Sequence, residues 1–258
     1  MPLPPKIFTS IKDWQTFRKE ENLSSLCFVP TMGNLHLGHQ SLLERSSQEN
    51  THTLLTIFIN PTQFNNKEDL ENYPRTLESD IAIAQQAHVN FILAPTFADI
   101  YPDNYTYKMS ETNLSNLMEG KHRPNHFDGM LTIVLKLLLI AKATRAYFGE
   151  KDFQQLQLVQ NLAQAFFLDT EIISCPTIRD QNGFALSSRN TRLTPEEYTQ
   201  ALNFPKLLSS HSSSPQTISQ NLKNLGFKVD YIEEHDGRRF GAVSLGNVRL
   251  IDNFNLKS

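Results

Sequence analysis

The sequence predicts an α/β protein: a doubly wound, Rossmann-like parallel sheet followed by a smaller α+β unit. Three observations carry this. Short runs that are apolar on both faces alternate with helix-periodic segments through the first two-thirds of the chain. The polar motifs follow the strand-like runs, where open α/β sheets bind their ligands. Beyond about residue 176 the texture changes to a polar loop, a helix and further strand-like segments. The expected division is therefore residues 1–176, the nucleotide-binding part, and 177–258, a small lid.

Taken in order, SLCFVP (25–30), LLTIFIN (54–60), VNFILAP (89–95), AYFG (146–149) and TEIISCP (170–176) read as buried parallel strands. Helices are expected at 39–49, 76–88, 126–142 and 153–167. The most apolar run, MLTIVLKLLLIAKA (130–143), contains Lys136 and is too short to span a bilayer, so it reads as a buried helix. Past the polar loop RDQNGFALSSRN, Thr194 can cap a helix with Pro195 at its first position. HSSSPQT reads as a linker or turn, and KVDYIEE (228–234) and VRLID (248–252) as closing strands.

Composition narrows the function. The 258 residues are 39% hydrophobic and 20% charged, as in a soluble globular protein. A net charge of −3 offers no general basic field for nucleic acid, so an anionic ligand needs a local cluster. Cys27 and Cys175 lie far apart and outside any Cys-x-x-Cys spacing, which speaks against a disulfide framework or structural zinc. MPLPPKIFTS lacks the apolar stretch of a secretory signal. The expectation is a cytoplasmic protein with neither a membrane nor a nucleic-acid partner.

Five segments could carry chemistry. In PTMGNLHLGH, His36 and His39 sit three apart where a helix begins, and free N–H groups there favour phosphate. Gly33 and Gly38 would let a nucleotide approach the backbone. A zinc site would want another ligand and a different spacing. In FINPTQF, Asn60 and Gln63 are neutral groups suited to orienting hydroxyls or a carboxylate. Downstream, Asp80 is either a magnesium contact or a helix-surface acid. In GKHRPNHFDG, Lys121, His122, Arg123 and His126 form a basic knot that faces an anion or solvent. In YFGEKDFQQ, Lys151 can serve phosphate as a point charge and Asp152 can cap the following helix, with Gln155 in its first turn. In ALSSRN, Ser187, Ser188 and Arg189 make a plausible mobile clamp.

In this order, PTMGNLHLGH, FINPTQF, YPRTLESD, GKHRPNHFDG, FGEKDFQQ and RDQNGFALSSRN resemble the signature blocks of the pantoate–β-alanine ligase family, in register from about residue 28 to 193. VDYIEE and VRLIDN resemble the family's C-terminal strands, and the HLGH and SSR elements resemble paired signatures of the wider nucleotidyltransferase superfamily. The resemblance implies an AMP-forming ligase that makes pantoyl adenylate from ATP and pantoate and then passes the pantoyl group to β-alanine. It implies that Met32, Gly33, Asn34, Leu35, His36, Leu37, Gly38 and His39 hold ATP, with His39 the family's proton donor; stabilising phosphate is the better physical role for it. Gly149, Glu150, Lys151, Asp152, the backbone near Ile178, and Leu186, Ser187, Ser188 and Arg189 would complete the ATP pocket. Gln63, Gln155, Asn60 and Arg123 would hold substrate. Magnesium would bridge the β- and γ-phosphates with Asp80 as its protein contact, and the assembly would be a homodimer.

Two departures stand out. Asn125 replaces the family's usual glycine, where a positive φ would be mildly strained. Only HDGRRFGAV separates VDYIEE from SLGNVRLIDN, a shorter connection than usual. A nucleotidyltransferase acting on a phosphorylated acceptor would want more basic residues than Gln63 and Gln155 supply. A nucleotide sensor without turnover would not need His39, Lys151 and Arg189 together.

Overall fold

The computed structural model describes residues 2–23 and 25–257. Strands β1 (Lys6–Phe8), β2 (Leu26–Thr31), β3 (His52–Ile57), β4 (Phe91–Leu93), β5 (Arg145–Gly149) and β6 (Glu171–Cys175) form one sheet in the order β1-β4-β3-β2-β5-β6. Every neighbouring pair is parallel. The connecting helices are α1 (Ile11–Glu20), α2 (Leu37–Glu49), α3 (Lys67–Glu71), α4 (Leu77–Gln86), α5 (Phe97–Ile100), α6 (Met118–His122), α7 (His126–Ala141) and α8 (Phe153–Ala165). The expected doubly wound sheet is present, and all five expected strands and four expected helices occur with small shifts at their ends. β1 and α1 were not anticipated; Ser10 caps α1 and Trp14 is fully buried beneath it.

The strands are apolar on both faces because both faces are covered. Along β2, Leu26 and Phe28 enter the core beneath α1, α7 and α8, while Cys27 and Val29 enter the one beneath α2 and α4. Leu54 and Leu55 divide in the same way on β3, as the two-residue strand period requires. The chain winds from β2 outward through β3 and β4, then returns by α7 to place β5 on the other side of β2. That reversal opens a crevice at the carboxyl ends of β2 and β5.

The rest of the chain forms α9 (Pro195–Ala201), α10 (Asn203–Leu208) and α11 (Pro215–Asn224), packed on an antiparallel sheet of β7 (Lys228–His235), β8 (Arg238–Leu245) and β9 (Val248–Asn255). Thr194 and Glu197 form the capping box of α9 with Pro195 at its first position. HSSSPQT, read as a linker or turn, is a turn over residues 211–213, after which Ser214 and Pro215 open α11. The connection HDGRRFGAV is a hairpin turn and most of the central strand. Asp236 and Gly237 both have positive φ (53° and 80°), as a tight hairpin with the strands' own twist requires.

Asn125 adopts φ 63°, ψ 0° at the N-cap of α7, and its side chain makes no capping bond. The left-handed backbone read from the motif is thus observed, and asparagine bears it better than other non-glycine residues. Asn125→Ala should lower the thermal midpoint by about 2–4 °C, reflecting roughly 1 kcal/mol of left-handed strain. Asn125→Gly should not lower it. Equal midpoints for the alanine and asparagine proteins in differential scanning calorimetry would contradict this account.

Candidate functional site

The loop between β2 and α2 is built from its backbone outward. Asp80, on α4 and 1% exposed, accepts from the amides of Asn34 (3.0 Å) and Leu35 (2.8 Å) and from the Thr76 hydroxyl (3.1 Å). A Cβ on Gly33 would lie 3.0 Å from the Asp80 carboxylate, so that glycine makes room for the protein's own anchor. Gly38 makes room for the His36 ring, which a Cβ there would meet at 2.8 Å.

His36 is the N-cap of α2, and its Nδ1 accepts from the Gly38 amide at 3.1 Å. His39 Nδ1 accepts in turn from the His36 amide at 3.4 Å, and the ring centroids are 4.1 Å apart. A capping box normally built from hydroxyl and carboxylate is built here from two imidazoles. Burial lowers the pKa of His36 to about 4, with Lys151 adding to the effect. Burial, His36 and Lys151 lower that of His39 to about 3. Both rings are therefore neutral, and because each Nδ1 is an acceptor, each proton sits on Nε2.

After β3, Asn60 begins a 3-10 turn, Pro61–Gln63, against α7. A Cβ on Gly129 would meet the Thr62 carbonyl at 2.4 Å, so glycine is what allows the helix this close. Asn60 is 1% exposed. Its amide nitrogen donates to Gln63 Oε1 (3.0 Å) and the Gly129 carbonyl (3.2 Å), and its oxygen accepts from Tyr101 (2.9 Å) and Thr62 (3.0 Å). Asn60 orients Gln63 rather than offering a free amide to substrate. His126 Nδ1–H donates to the Gln63 carbonyl at 2.8 Å, which leaves Nε2 to accept from Arg123 at 3.1 Å. Burial and the Arg123 charge lower its pKa to about 4.

These elements surround a cavity of about 260 Å³ at the crevice. Met32, His36, Gly38, His39, Asn60, Gln63, Arg123, Gly149, Lys151, Asp152, Gln155, Ile178, Leu186, Ser187, Ser188 and Arg189 all line it, so most of the expected constellation is brought together. Gly33, Asn34 and Leu35 lie behind the wall in the Asp80 anchor, and Leu37 is 65% exposed on the outer side of α2. Glu150 also faces away, its carboxylate accepting from Ser174. Asp152 occupies the N-cap position of α8 without a capping bond, so the expected cap is not made. Asp80, read from the sequence as a magnesium contact or a helix-surface acid, is buried and is not among the residues lining the cavity; its oxygens accept from the loop amides. The apolar wall of Met130, Ile133, Val134 and Leu137 is legible in the sequence only as part of a buried helix. His126 is legible there only as a member of the basic knot, because its partners Gln63 and Arg123 are brought to it by the fold.

Arg189 donates to Asp69 on α3 at 3.1 Å, and Arg192 binds the other oxygen of Asp69 at the same distance. A second cavity, of about 790 Å³, continues the first past Arg123, Lys151, Asp152, Ser187 and Arg189 toward the C-terminal sheet. Among the described residues no group of three or more His, Cys, Asp or Glu side chains could hold a metal ion.

A family model described as pantoate-beta-alanine ligase matches residues 6–255. A pantothenate synthetase of Coxiella burnetii (strain Dugway 5J108-111) is 56% identical over 248 residues, 96% of each chain. One from Legionella pneumophila (strain Corby) is 51% identical over 250 residues, covering 96% of this chain and 99% of its own. The fold matches the crystal structure of a pantoate-beta-alanine ligase from Francisella tularensis, complexed with beta-gamma ATP and beta-alanine, with a TM-score of 0.93 and 40% identity over 98% of each chain.

The neutral imidazoles carry a pH signature. Each has a folded-state pKa below the ordinary 6.5, so the unfolded chain takes up protons that the folded rings refuse. The stability they permit is complete above pH 6.5 and is lost as the pH falls toward about 4. The thermal midpoint of the ligand-free protein should fall over that range, and His39→Gln should make the fall shallower. Identical slopes would show that His39 is protonated in the folded protein.

Proposed function

Because the chain belongs to the pantoate–β-alanine ligase family, we propose that its crevice runs both half-reactions of that ligase with the side chains placed above. The reaction is the ATP-dependent condensation of pantoate with β-alanine. A carboxylate is a poor acyl donor because expelling oxide is costly. Attack of a pantoate carboxylate oxygen on the α-phosphorus of ATP expels pyrophosphate and leaves pantoyl adenylate. The β-alanine amine then attacks the acyl carbon, AMP departs, and the amide forms as the nitrogen loses its proton.

The observation that carries this assignment is the pair of neutral imidazoles fixed at the start of α2, with Lys151 close enough to influence both. In our reading they present Nε2–H donors, already oriented, to oxygens that gain charge as pyrophosphate leaves. Preorganised donors of this kind usually supply the largest part of such a rate enhancement. Lys151 and Arg189 supply positive charge, and Ser187 and Ser188 supply hydroxyls. No protein nucleophile is needed. Gln63 and Gln155 hold the hydroxyls and carboxylate of pantoate, whose branched hydrocarbon lies on the α7 wall. Arg123 is the cation for the carboxylate of the incoming amino acid.

Magnesium enters in this reading with the triphosphate, since an ion that keeps several waters needs only one or two protein carboxylates. Asp152, the one acid among the described residues that line the smaller cavity, is available to it, and the ion would neutralise charge on the phosphates. The proposal also divides the chain at residues 176 and 177, with the C-terminal part covering the phosphate end of the cleft. It further includes a cytoplasmic homodimer. Among the described residues no helix is long and apolar enough to cross a membrane. Phe167, 92% exposed, is an apolar side chain that an interface could cover.

Two experiments test the assignment. Labelled pyrophosphate should exchange into ATP in the presence of pantoate and without β-alanine, and His39→Ala should slow that exchange about 10²–10³-fold. Absence of exchange in the wild-type protein, or a loss under about threefold in the variant, would contradict the scheme. Asp80→Asn should lower the thermal midpoint, because loss of a buried charge-assisted hydrogen bond costs about 1.5–3 kcal/mol. It should leave the magnesium concentration for half-maximal exchange unchanged. A magnesium requirement raised about tenfold at an unchanged midpoint would return Asp80 to the metal.

A further inference from the structure

We infer that Asn253, on β9 of the C-terminal sheet, is a positioning residue for Lys151. Asn253 is 4% exposed, and its Nδ2 donates to two consecutive carbonyls, those of Glu150 (2.9 Å) and Lys151 (3.0 Å). Its Oδ1 accepts from Arg238, and its backbone amide donates to Asp252 Oδ1 at 2.8 Å. Both side-chain donors are thus spent on the backbone of one short turn, more than a hundred residues earlier in the chain.

That turn, Glu150–Asp152, is a single 3-10 turn between β5 and α8 with no side-chain cap of its own. Its geometry is imposed from outside. Ser174 and Arg238 hold the Glu150 carboxylate, at 2.5 and 3.8 Å, and the Arg238 guanidinium lies 3.8 Å from the Phe153 ring centroid. β9 is fixed in turn because Asp252 takes a bidentate pair from Arg179 at 2.7 and 2.8 Å. Arg179 also donates to the Gly183 carbonyl, within the segment that leads to Leu186–Arg189. Asp252 and Asn253 therefore set the lysine turn against the segment carrying the serines and arginine.

A lysine acts on phosphate as a point charge on a flexible stem, so its reach depends on where its backbone is held. Asn253 touches no substrate in this scheme and acts through Lys151 alone. The inference rests on the reading that Lys151 serves the phosphates of ATP.

The test is a double-mutant cycle over Asn253→Ala and Lys151→Ala, read by pantoate-dependent pyrophosphate exchange and thermal midpoint. Val243→Ala, in the core of the same sheet and away from the turn, serves as the stability control. Asn253→Ala should lower kcat roughly 10- to 100-fold, the scale of a small misplacement of a reacting group. Its KM for pantoate should stay within about threefold of wild type. Val243→Ala should lose stability and keep its turnover below the melting range. In the Lys151→Ala background, Asn253→Ala should cost less than about twofold more.

Equal turnover losses in Asn253→Ala and Val243→Ala would overturn the inference, as would an undiminished Asn253 effect in the Lys151→Ala background. Normal turnover by Lys151→Ala alone would remove the phosphate reading of Lys151, and this inference with it. If Asn253→Ala does not fold, the isosteric Asn253→Asp is read in its place. It keeps an oxygen for Arg238 but turns another on the two carbonyls, so its loss should be at least as large.

Discussion

The parallel pairing of β2 with β5 is the constraint on which the site depends. It is short, with Cys27 opposite Arg145 and Phe28 opposite Ala146. Yet it makes neighbours of two strands separated by more than a hundred residues, and so sets side by side the loops at their carboxyl ends. One loop ends in the imidazoles that cap α2; the other is the Lys151 turn. The crossover that creates the pairing is α7, so the same helix that closes the topology supplies the apolar wall of the cavity. A one-residue slip of β2 would exchange Phe28 and Val29 between the two cores and carry the histidines off the crevice.

Charge is divided deliberately within this crevice. Among the described residues its fixed positive charges are Arg123, Lys151 and Arg189, and its only lining carboxylate is Asp152. Two protonated imidazoles with centroids 4.1 Å apart would repel each other as well as the lysine. Kept neutral, they donate hydrogen bonds without that repulsion. Their tautomers are held by the first turn of α2, so in the proposed scheme no proton has to move before phosphate arrives. In that scheme the cations supply long-range attraction and the imidazoles supply direction.

Much of this was legible in the sequence because the strong signals are local. Alternation of both-face apolar runs with helical periods gives the sheet, and the polar blocks after each strand give the cavity. Signals that depend on a distant partner were not legible. Asp80 is an acid near a phosphate motif, and only the fold shows its oxygens turned onto the Asn34 and Leu35 amides. Asn60 stands in a strand-end motif like a ligand residue, yet three-dimensional packing commits its whole amide to Gln63, Gly129, Tyr101 and Thr62. Other misses were local and avoidable. Asp236-Gly237 is a strong hairpin signal that turns HDGRRFGAV from a connection into a strand, and Ile11, Trp14 and Phe17 already carry the helical spacing of α1.

The junction between the two sheets explains why so polar a seam is kept. Burial alone would raise the pKa of Glu119, but two hydrogen bonds from Arg249, the Arg123 charge and the Tyr231 hydroxyl hold it down at about 2. Apolar packing by Met118, Tyr231, Phe240 and Ala242 lies beside it and could have bound the surfaces unaided. Buried ion pairs add little net stability over such packing, but they penalise any shift that leaves a charge unpaired. From Arg249 the contacts pass through Glu119, Arg123 and His126 to the Gln63 carbonyl; from Asn253 they pass to the Lys151 turn. The residues assigned to the acid and those assigned to the triphosphate are thus registered against one three-stranded sheet. A sheet that slid freely as a cover would uncouple both, so the polar seam serves alignment where an apolar one would serve only adhesion.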